Sequence, residues 1–284
     1  MKHRIHFTKM HGLGNDFILV DAINQRISDE EIESLAKKLC NRNFGIGADG
    51  LVLVKKSDQT DLKMQIINAD GSEPEMCGNG IRCFAKYVYD EKIIEKDIFS
   101  VETLAGIMVP GLILKEGNVV AVEVDMGEAI LESNKIPVQG LNPEKVINEP
   151  INIDDTDYSV TCVSMGNPHA IVFVDNLESI DIENLGPKFE GNSIFPERIN
   201  TEFVQVIDKN KATVRVWERG VGETLACGTG ACAVTVAGVL NEKLERKSII
   251  HLPGGELKIE WQENDNHVIM TGPASTVFKG EIFI

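Results

Sequence analysis

The chain has 284 residues, 43% hydrophobic and 25% charged, the balance of a folded globular protein with room for one large domain or two ordinary ones. Its net charge of −16 argues against a nucleic-acid backbone or an anionic membrane surface as a partner. No apolar run reaches the roughly 18 residues of a bilayer span, and Met1-Lys2-His3-Arg4 is followed by no apolar h-region, so the expected location is cytoplasmic.

In chain order, Arg4 to Lys9 alternates as a strand, a glycine-rich turn follows at His11-Gly12-Leu13-Gly14-Asn15-Asp16, and Phe17 to Val20 reads as a buried strand. Ser28 and Glu31 have the spacing of a capping box. Ile32, Leu35, Ala36, Leu39 and Cys40 then recur on one face of a helix, which makes Cys40 a core thiol. Leu51 to Val54 and Lys63 to Ile67 are the next strands, the second delivering Asn68 into the turn Asn68-Ala69-Asp70-Gly71-Ser72. Cys77-Gly78-Asn79-Gly80 opens a helix that runs to about Tyr89, with further strands near 98–109 and 118–125.

From about Gly127 the order repeats. Tyr158 to Val163 is a strand, Ser164 to His169 a turn, and Ala170 to Val174 a strand, with a hint of helix at Leu177, Ile180 and Leu185. Glu202 to Ile207 and Lys211 to Trp217 are strands, the latter delivering Glu218 into a second elbow at Cys227-Gly228-Thr229-Gly230. Strands near 248–252, 256–261, 268–271 and 276–284 finish the chain. Asn15 precedes Cys77 by 62 positions and Asn167 precedes Cys227 by 60. Asn68 and Glu218 each stand nine before their cysteine, and Glu73 and Glu223 each stand four before. Composition alone would not keep strand, elbow and helix at these offsets, so the chain reads as a duplication.

The fold expected is α/β of the α+β type, with two pseudo-symmetric domains over 1–127 and 128–273. Whether the last strand, 274–284, returns to the first domain stays open. The run from Ala231 to Leu240 is apolar almost all round, as a helix buried on every side would be. Each domain is therefore expected to carry a mixed, largely antiparallel sheet curled around a central helix.

Six cysteines in a chain without an expected export signal read as reduced thiols, and no C-x2-C pair suggests a metal site. Cys83, Cys162 and Cys232 fall at core positions. Cys77 and Cys227 differ because each stands directly before a helix start. There the first-turn N–H groups and the helix dipole favour negative charge, which is expected to lower the thiol pKa. The amides of Gly78, Asn79, Gly228 and Thr229 offer a carboxylate site. Two such elbows suit a two-base racemase or epimerase: one thiolate removes an α-proton and an opposing thiol returns one to the other face. One Cys-Gly-x-Gly turn alone is as easily a tight turn around a core cysteine; two in repeat register are not. A cysteine hydrolase with His11 or His169 as base would leave the second elbow unexplained.

Asn68 through Arg82, His11-Gly12-Leu13-Gly14-Asn15-Asp16-Phe17, Gly166-Asn167-Pro168-His169, Arg198-Ile199-Asn200, Glu218-Arg219-Gly220 and Ala226-Cys227-Gly228-Thr229-Gly230 together resemble, in order, the motifs of diaminopimelate epimerases. The resemblance spans nearly the whole chain. It implies cofactor-independent interconversion of LL- and meso-diaminopimelate, in lysine and cell-wall precursor synthesis, at a cleft between two domains of a homodimer. By motif, Cys77 and Cys227 are the acid/base pair. Asn15, Asn68, Asn167, Asn200, Glu218 and Arg219 contact substrate, the Gly78-Asn79 and Gly228-Thr229 amides hold its reacting carboxylate, and His169 and Glu218 tune the thiols. No metal or cofactor is implied. Some relatives have Gln where this chain has Gly50, so that side-chain contact is missing. A proline-racemase-like enzyme is the nearest competitor, but there the residue after Cys-Gly is typically His, not Asn79, and a small imino acid has no use for Glu218 and Arg219. A non-catalytic amino-acid binder or thiol redox sensor is the alternative outside enzymology.

Overall fold

Alternating apolar residues bounded by glycine turns set much of the chain into strands. The computed structural model describes residues 4–283. Its elements are β1 (Arg4–Gly12), β2 (Asn15–Asp21), α1 (Ile32–Cys40), β3 (Gly50–Lys55), β4 (Leu62–Asn68), α2 (Gly78–Asp90), β5 (Val101–Thr103), β6 (Gly106–Met108), β7 (Gly111–Lys115) and β8 (Asn118–Glu128). They continue with β9 (Glu149–Ile153), β10 (Thr156–Ser164), β11 (Pro168–Phe173), α3 (Ile182–Glu190), β12 (Asn200–Asp208), β13 (Lys211–Glu218), β14 (Gly222–Thr224) and α4 (Gly228–Leu240). β15 (Lys247–Leu252), β16 (Gly255–Trp261), β17 (His267–Gly272) and β18 (Ser275–Phe283) complete the chain. The last strand was expected near 276–284; Ile284 lies outside the described residues. No helix among the described residues is long and apolar enough to cross a membrane.

The chain divides into two compact units, one running to Val124 and resuming at Thr271, the other spanning Asp125–Met270. In the first, the sheet order is β18-β1-β2-β3-β4-β5-β6. Successive pairings are antiparallel, antiparallel, parallel, antiparallel, parallel and antiparallel. In the second, β9-β10-β11-β12-β13-β15-β16 repeats the same six pairings in the same sequence. The fold is thus mixed α/β with a repeated topology.

Within each unit the two-residue period of the strands sends alternate side chains to opposite faces. In the first, Ile18, Val20, Leu51 and Leu53 pack with Leu35, Ala36 and Leu39 of α1, while α2 packs against β1 to β4. In the second, Ala170, Val172 and Phe203 pack with Ile182 and Phe189 of α3, while α4 lies across β10, β11, β12, β15 and β16. Ala231 through Ala237 of α4 are all buried. Each of its core valines contributes about 1.5–3 kcal/mol of burial, so packing rather than exposed polar pairs holds this helix.

The capping box expected at Ser28 and Glu31 does not form. Asp29–Glu31 makes a single 3-10 turn instead, neither Ser28 nor Glu31 makes a side-chain cap, and α1 starts one residue later at Ile32. The apolar face still sets the helix, because its burial outweighs a cap of about 1 kcal/mol.

Candidate active site

In the first unit, Cys77 is the N-cap of α2. Its backbone is extended, and its Sγ accepts a hydrogen bond from the Gly80 amide at 3.4 Å. The thiol is partly exposed and donates towards Asn15 Oδ1 at 3.7 Å, an oxygen that also accepts from Asn79 Nδ2 at 3.1 Å. Asn15 is turned this way by Asp49, whose Oδ2 accepts from Asn15 Nδ2 at 2.7 Å and from the Asp16 amide at 3.0 Å. Arg42 grips both Asp16 and Asp49 at 2.7 Å, and Lys9 reaches Asp16 at 2.6 Å and the Gly47 carbonyl. Burial opposes ionisation of Asp16, but Arg42 and Lys9 prevail and hold its pKa at about 2. On the other side, the fully buried Arg82 donates to Asn79 Oδ1 and the Gly78 carbonyl, each at 2.9 Å, and to the Pro273 carbonyl at 3.2 Å. Asn68, at the end of β4, donates to Ser72 Oγ at 3.0 Å and closes its own turn.

In the second unit, Cys227 is the N-cap of α4 with the same geometry. Gly230 N donates to its Sγ at 3.4 Å, and Thr229 Oγ1 lies 3.4 Å from the sulfur. Here the thiol is buried, and its surroundings are charged. Glu218 ends β13 and accepts from Thr224 Oγ1 at 2.5 Å. Glu202, on β12, is fully buried. Burial first, then Glu218 and Glu202, push the Cys227 thiol well above its ordinary pKa. The lowering expected at a helix N-terminus does not prevail at this elbow: like charge and desolvation outweigh the dipole.

The remaining sequence-predicted residues of this unit lie close to that cap in the chain or on neighbouring strands. His169, on β11, bonds Glu202 Oε1 through Nδ1 at 2.7 Å and Asn167 Oδ1 through Nε2 at 3.0 Å. Asn200 starts β12, donates to the Pro168 carbonyl at 2.8 Å and accepts from the Arg219 amide at 2.9 Å. Arg219 is exposed and donates to the Glu197 carbonyl at 3.0 Å. Gly220, at φ +77°, turns the chain after it, and its amide bonds Glu190 at 3.0 Å.

Glu202 was not among the residues singled out from the sequence. A signal existed: it is a carboxylate beside Phe203 and Val204 in a strand, at the position that the repeat gives to Val52. One ligating atom each of His169, Glu202 and Cys227 lie within 4.8 Å of one another, the donor types zinc prefers. His169 and Glu202 are, however, already committed to each other by their hydrogen bond. Glu73 and Glu223, matched in offset, serve the scaffold instead, fastening their elbows to Gln65 on β4 and Arg215 on β13. Gly50 pairs with Asn68 across β3 and β4, and a Cβ there would lie 3.1 Å from the Ile67 carbonyl oxygen.

Comparison with known proteins bears on this site. A family model described as diaminopimelate epimerase matches residues 7–132 and 161–277. A diaminopimelate epimerase of Methanococcus maripaludis is 55% identical over 278 residues, covering 98% of this chain and 99% of that protein. One from Acetivibrio thermocellus is 55% identical over 278 residues, covering 97% and 98%. Among solved structures, a phenazine biosynthesis protein of the PhzF family from Bacillus anthracis aligns with a TM-score of 0.73 at 17% identity over 99% of both chains. A hydroxyproline epimerase from Agrobacterium vitis, with bound trans-4-hydroxy-L-proline, aligns at 0.68 and 13% identity, over 99% of this chain and 91% of that one. At such identities the two structures speak for the fold alone.

Proposed function

The chain belongs to the diaminopimelate epimerase family and is an epimerase of diaminopimelate; we propose that it works by a two-thiol mechanism in which Cys77 and Cys227 serve one α-carbon. The observation that carries this reading is the repeated cap. Both cysteines precede a helix, both sulfurs accept from the amide three residues on, and both stand at the same place in the repeated topology.

One cysteine, as thiolate, takes the α-proton. The electron pair of the broken C–H bond passes to the α-carbon and its carboxylate, and the other cysteine delivers its S–H proton to the opposite face. Thiol and thiolate exchange roles, and nothing is oxidised or reduced. The α-proton of an amino acid lies many pK units above a thiol, each costing about 1.4 kcal/mol. Fixed dipoles aimed at the developing charge are the means of meeting that difference. The first-turn amides of Gly78, Asn79, Gly228 and Thr229 are proposed to grip the reacting carboxylate. Asn15, Asn68, Asn167, Asn200, Glu218 and Arg219 are proposed to hold the remaining groups, with Arg219 suited to the distal carboxylate and Glu218 to an ammonium. The direction is from LL- to meso-diaminopimelate, in lysine and cell-wall precursor synthesis, by a cytoplasmic homodimer.

The test is exchange in D2O. Purified, reduced protein given diaminopimelate without pyridoxal phosphate, metal or nucleotide should place deuterium on the α-carbon and interconvert the LL and meso forms. Binding without exchange would leave a binder. Exchange on proline but not on diaminopimelate would favour an imino-acid racemase.

A further inference from the structure

Glu202 takes no part in the steps above, yet it is a fully buried carboxylate close to them. It is fully buried on β12, a strand that packs on α4, and its Oε2 finds no hydrogen-bond partner among the described residues. A carboxylate in such a place is expensive unless it acts on something. A Cβ on Gly230 would stand only 2.5 Å from Glu202 Oε1. The carboxylate therefore lies directly against the first turn of α4, and glycine at 230 is what lets it in.

The repeat shows what is special about this. β11 pairs with β12 so that His169 meets Asn200, and β2 pairs with β3 so that Phe17 meets Gly50. Two residues further along, Glu202 occupies the place of Val52, as His169 occupies that of Phe17. The cap of α2 is backed at these positions by hydrocarbon; that of α4 is backed by a buried His–Glu pair. His169 Nε2 meets Asn167 Oδ1 at 3.0 Å, and its Nδ1 shares a 2.7 Å hydrogen bond with Glu202 Oε1, which leaves Oε2 as the carboxylate oxygen without a partner among the described residues.

We propose that Glu202 is a positioning residue for proton transfer at Cys227: its carboxylate, seated under the N-terminal turn of α4, cancels the field that would otherwise ionise the thiol and makes Cys227 the proton donor when the pair is at rest. This rests on the two-thiol reading. Turnover then starts with Cys77 taking the α-proton and the Cys227 S–H bond giving its proton to the opposite face, its electron pair staying on sulfur. Glu202 and His169 lose and gain no proton. The charged and titratable groups around this cap fit the assignment. Glu218 from β13 raises the Cys227 thiol in the same direction and ranks ahead of Glu202, and Cys162 on β10 is itself pushed up by burial and then by Glu202. β15 and β16 bury Ile250, Leu257 and Ile259 and leave Glu256 and Lys258 exposed.

The experiment is alkylation by iodoacetamide as a function of pH, with Cys77 and Cys227 read separately by peptide mass spectrometry, on wild type, Glu202→Gln and Glu202→Asp. No substrate is present, so the outcome is independent of whether diaminopimelate is turned over; failure of the D2O test would strike the two-thiol reading instead. In wild type, Cys227 should show the higher midpoint of the two. Glu202→Gln should lower the Cys227 midpoint by about one pH unit or more and leave Cys77 in place. Glu202→Asp keeps the charge and should keep the Cys227 midpoint, although it loses packing just as Gln disturbs it. With diaminopimelate, Glu202→Gln should lose roughly tenfold or more in kcat with KM little changed. A wild-type order with Cys77 higher overturns the proposal without any variant. So does an unchanged Cys227 midpoint in Glu202→Gln, an equal shift of both cysteines, or identical behaviour of Gln and Asp.

Discussion

The two cysteine elbows share a backbone and differ in what supports it. Each is a glycine-led helix start with the thiol as cap, fed by a strand and fastened by a side chain at matched offset. Beneath the first, a polar chain runs from Arg82 through Asn79 and Asn15 to Asp49 and Arg42, and the thiol is half open. Beneath the second, a buried carboxylate and imidazole stand where the first has Val52 and Phe17, and the thiol is closed in. The repeat supplies two caps of one geometry; what differs beneath them makes the two thiols unequal in exposure and in neighbouring charge.

On the mechanism proposed, the comparison breaks most sharply when either thiol is removed. Cys77→Ala and Cys227→Ala should each lower epimerisation by at least about 10³-fold, on the scale of losing a general acid or base. Chiral chromatography of LL- and meso-diaminopimelate checks this. Wild-type rates in either variant would refute the paired assignment.

The matched glycines should part company next. At Gly230 a methyl group would meet Glu202 Oε1 at 2.5 Å, whereas at Gly80 it would meet the movable tip of Ile66 at 3.1 Å. Gly230→Ala should cost roughly 1–3 kcal/mol by overpacking and depress kcat as the Cys227 cap shifts. Gly80→Ala should be close to neutral, since the helix preference for alanine, up to about 1 kcal/mol, offsets the squeeze. Thermal unfolding and kcat of the two variants, side by side, measure the difference. Equal losses would mean that the carboxylate does not set the packing there.

Arg82 has Cys232 at its place in the other helix, five residues after the cap. Arg82→Leu would leave the carbonyls of Gly78 and Pro273 and the amide oxygen of Asn79 without this donor in a dry interior. A loss of about 2–4 kcal/mol in chemical denaturation follows, with Cys232→Ala costing less. A milder effect at Arg82 than at Cys232 would contradict the role of the polar chain.

Much of this architecture was legible in the sequence because its signals are local. The all-apolar run after Cys227 does form a buried helix, and the face of Leu35, Ala36 and Leu39 does pack into a core. Short strands with little pattern were not seen, β7, β9 and β14 among them. The sequence does not decide the pairing of β18 with β1, because it joins segments far apart in the chain, which no local pattern can announce. The cysteine caps could be read because cysteine and glycine stand at fixed offsets. The sign of the pKa shift at Cys227 could not: it depends on burial, then on Glu218, and then on Glu202, which sheet register brings beneath the cap. Glu73 and Glu223 show the opposite lesson, since a perfect match of offsets marked scaffold.

The smallest effect expected lies in the network that only the first unit has. Asp16, held at about pKa 2 against an ordinary value of 3.8, has Pro168 as its partner in the repeat. A carboxylate depressed in the folded state stabilises the protein above its unfolded pKa, and that contribution fades as pH falls through the folded one. The wild type should therefore lose stability between about pH 4 and pH 2 more steeply than Asp16→Asn does. After solvent screening the difference is of the order of 1 kcal/mol. Denaturation midpoints of both proteins across that window measure it. Parallel curves would mean that Arg42 and Lys9 orient Asp16 and Asp49 beside Asn15 without favouring the charge of Asp16, and the first elbow would then owe its order to hydrogen-bond geometry alone.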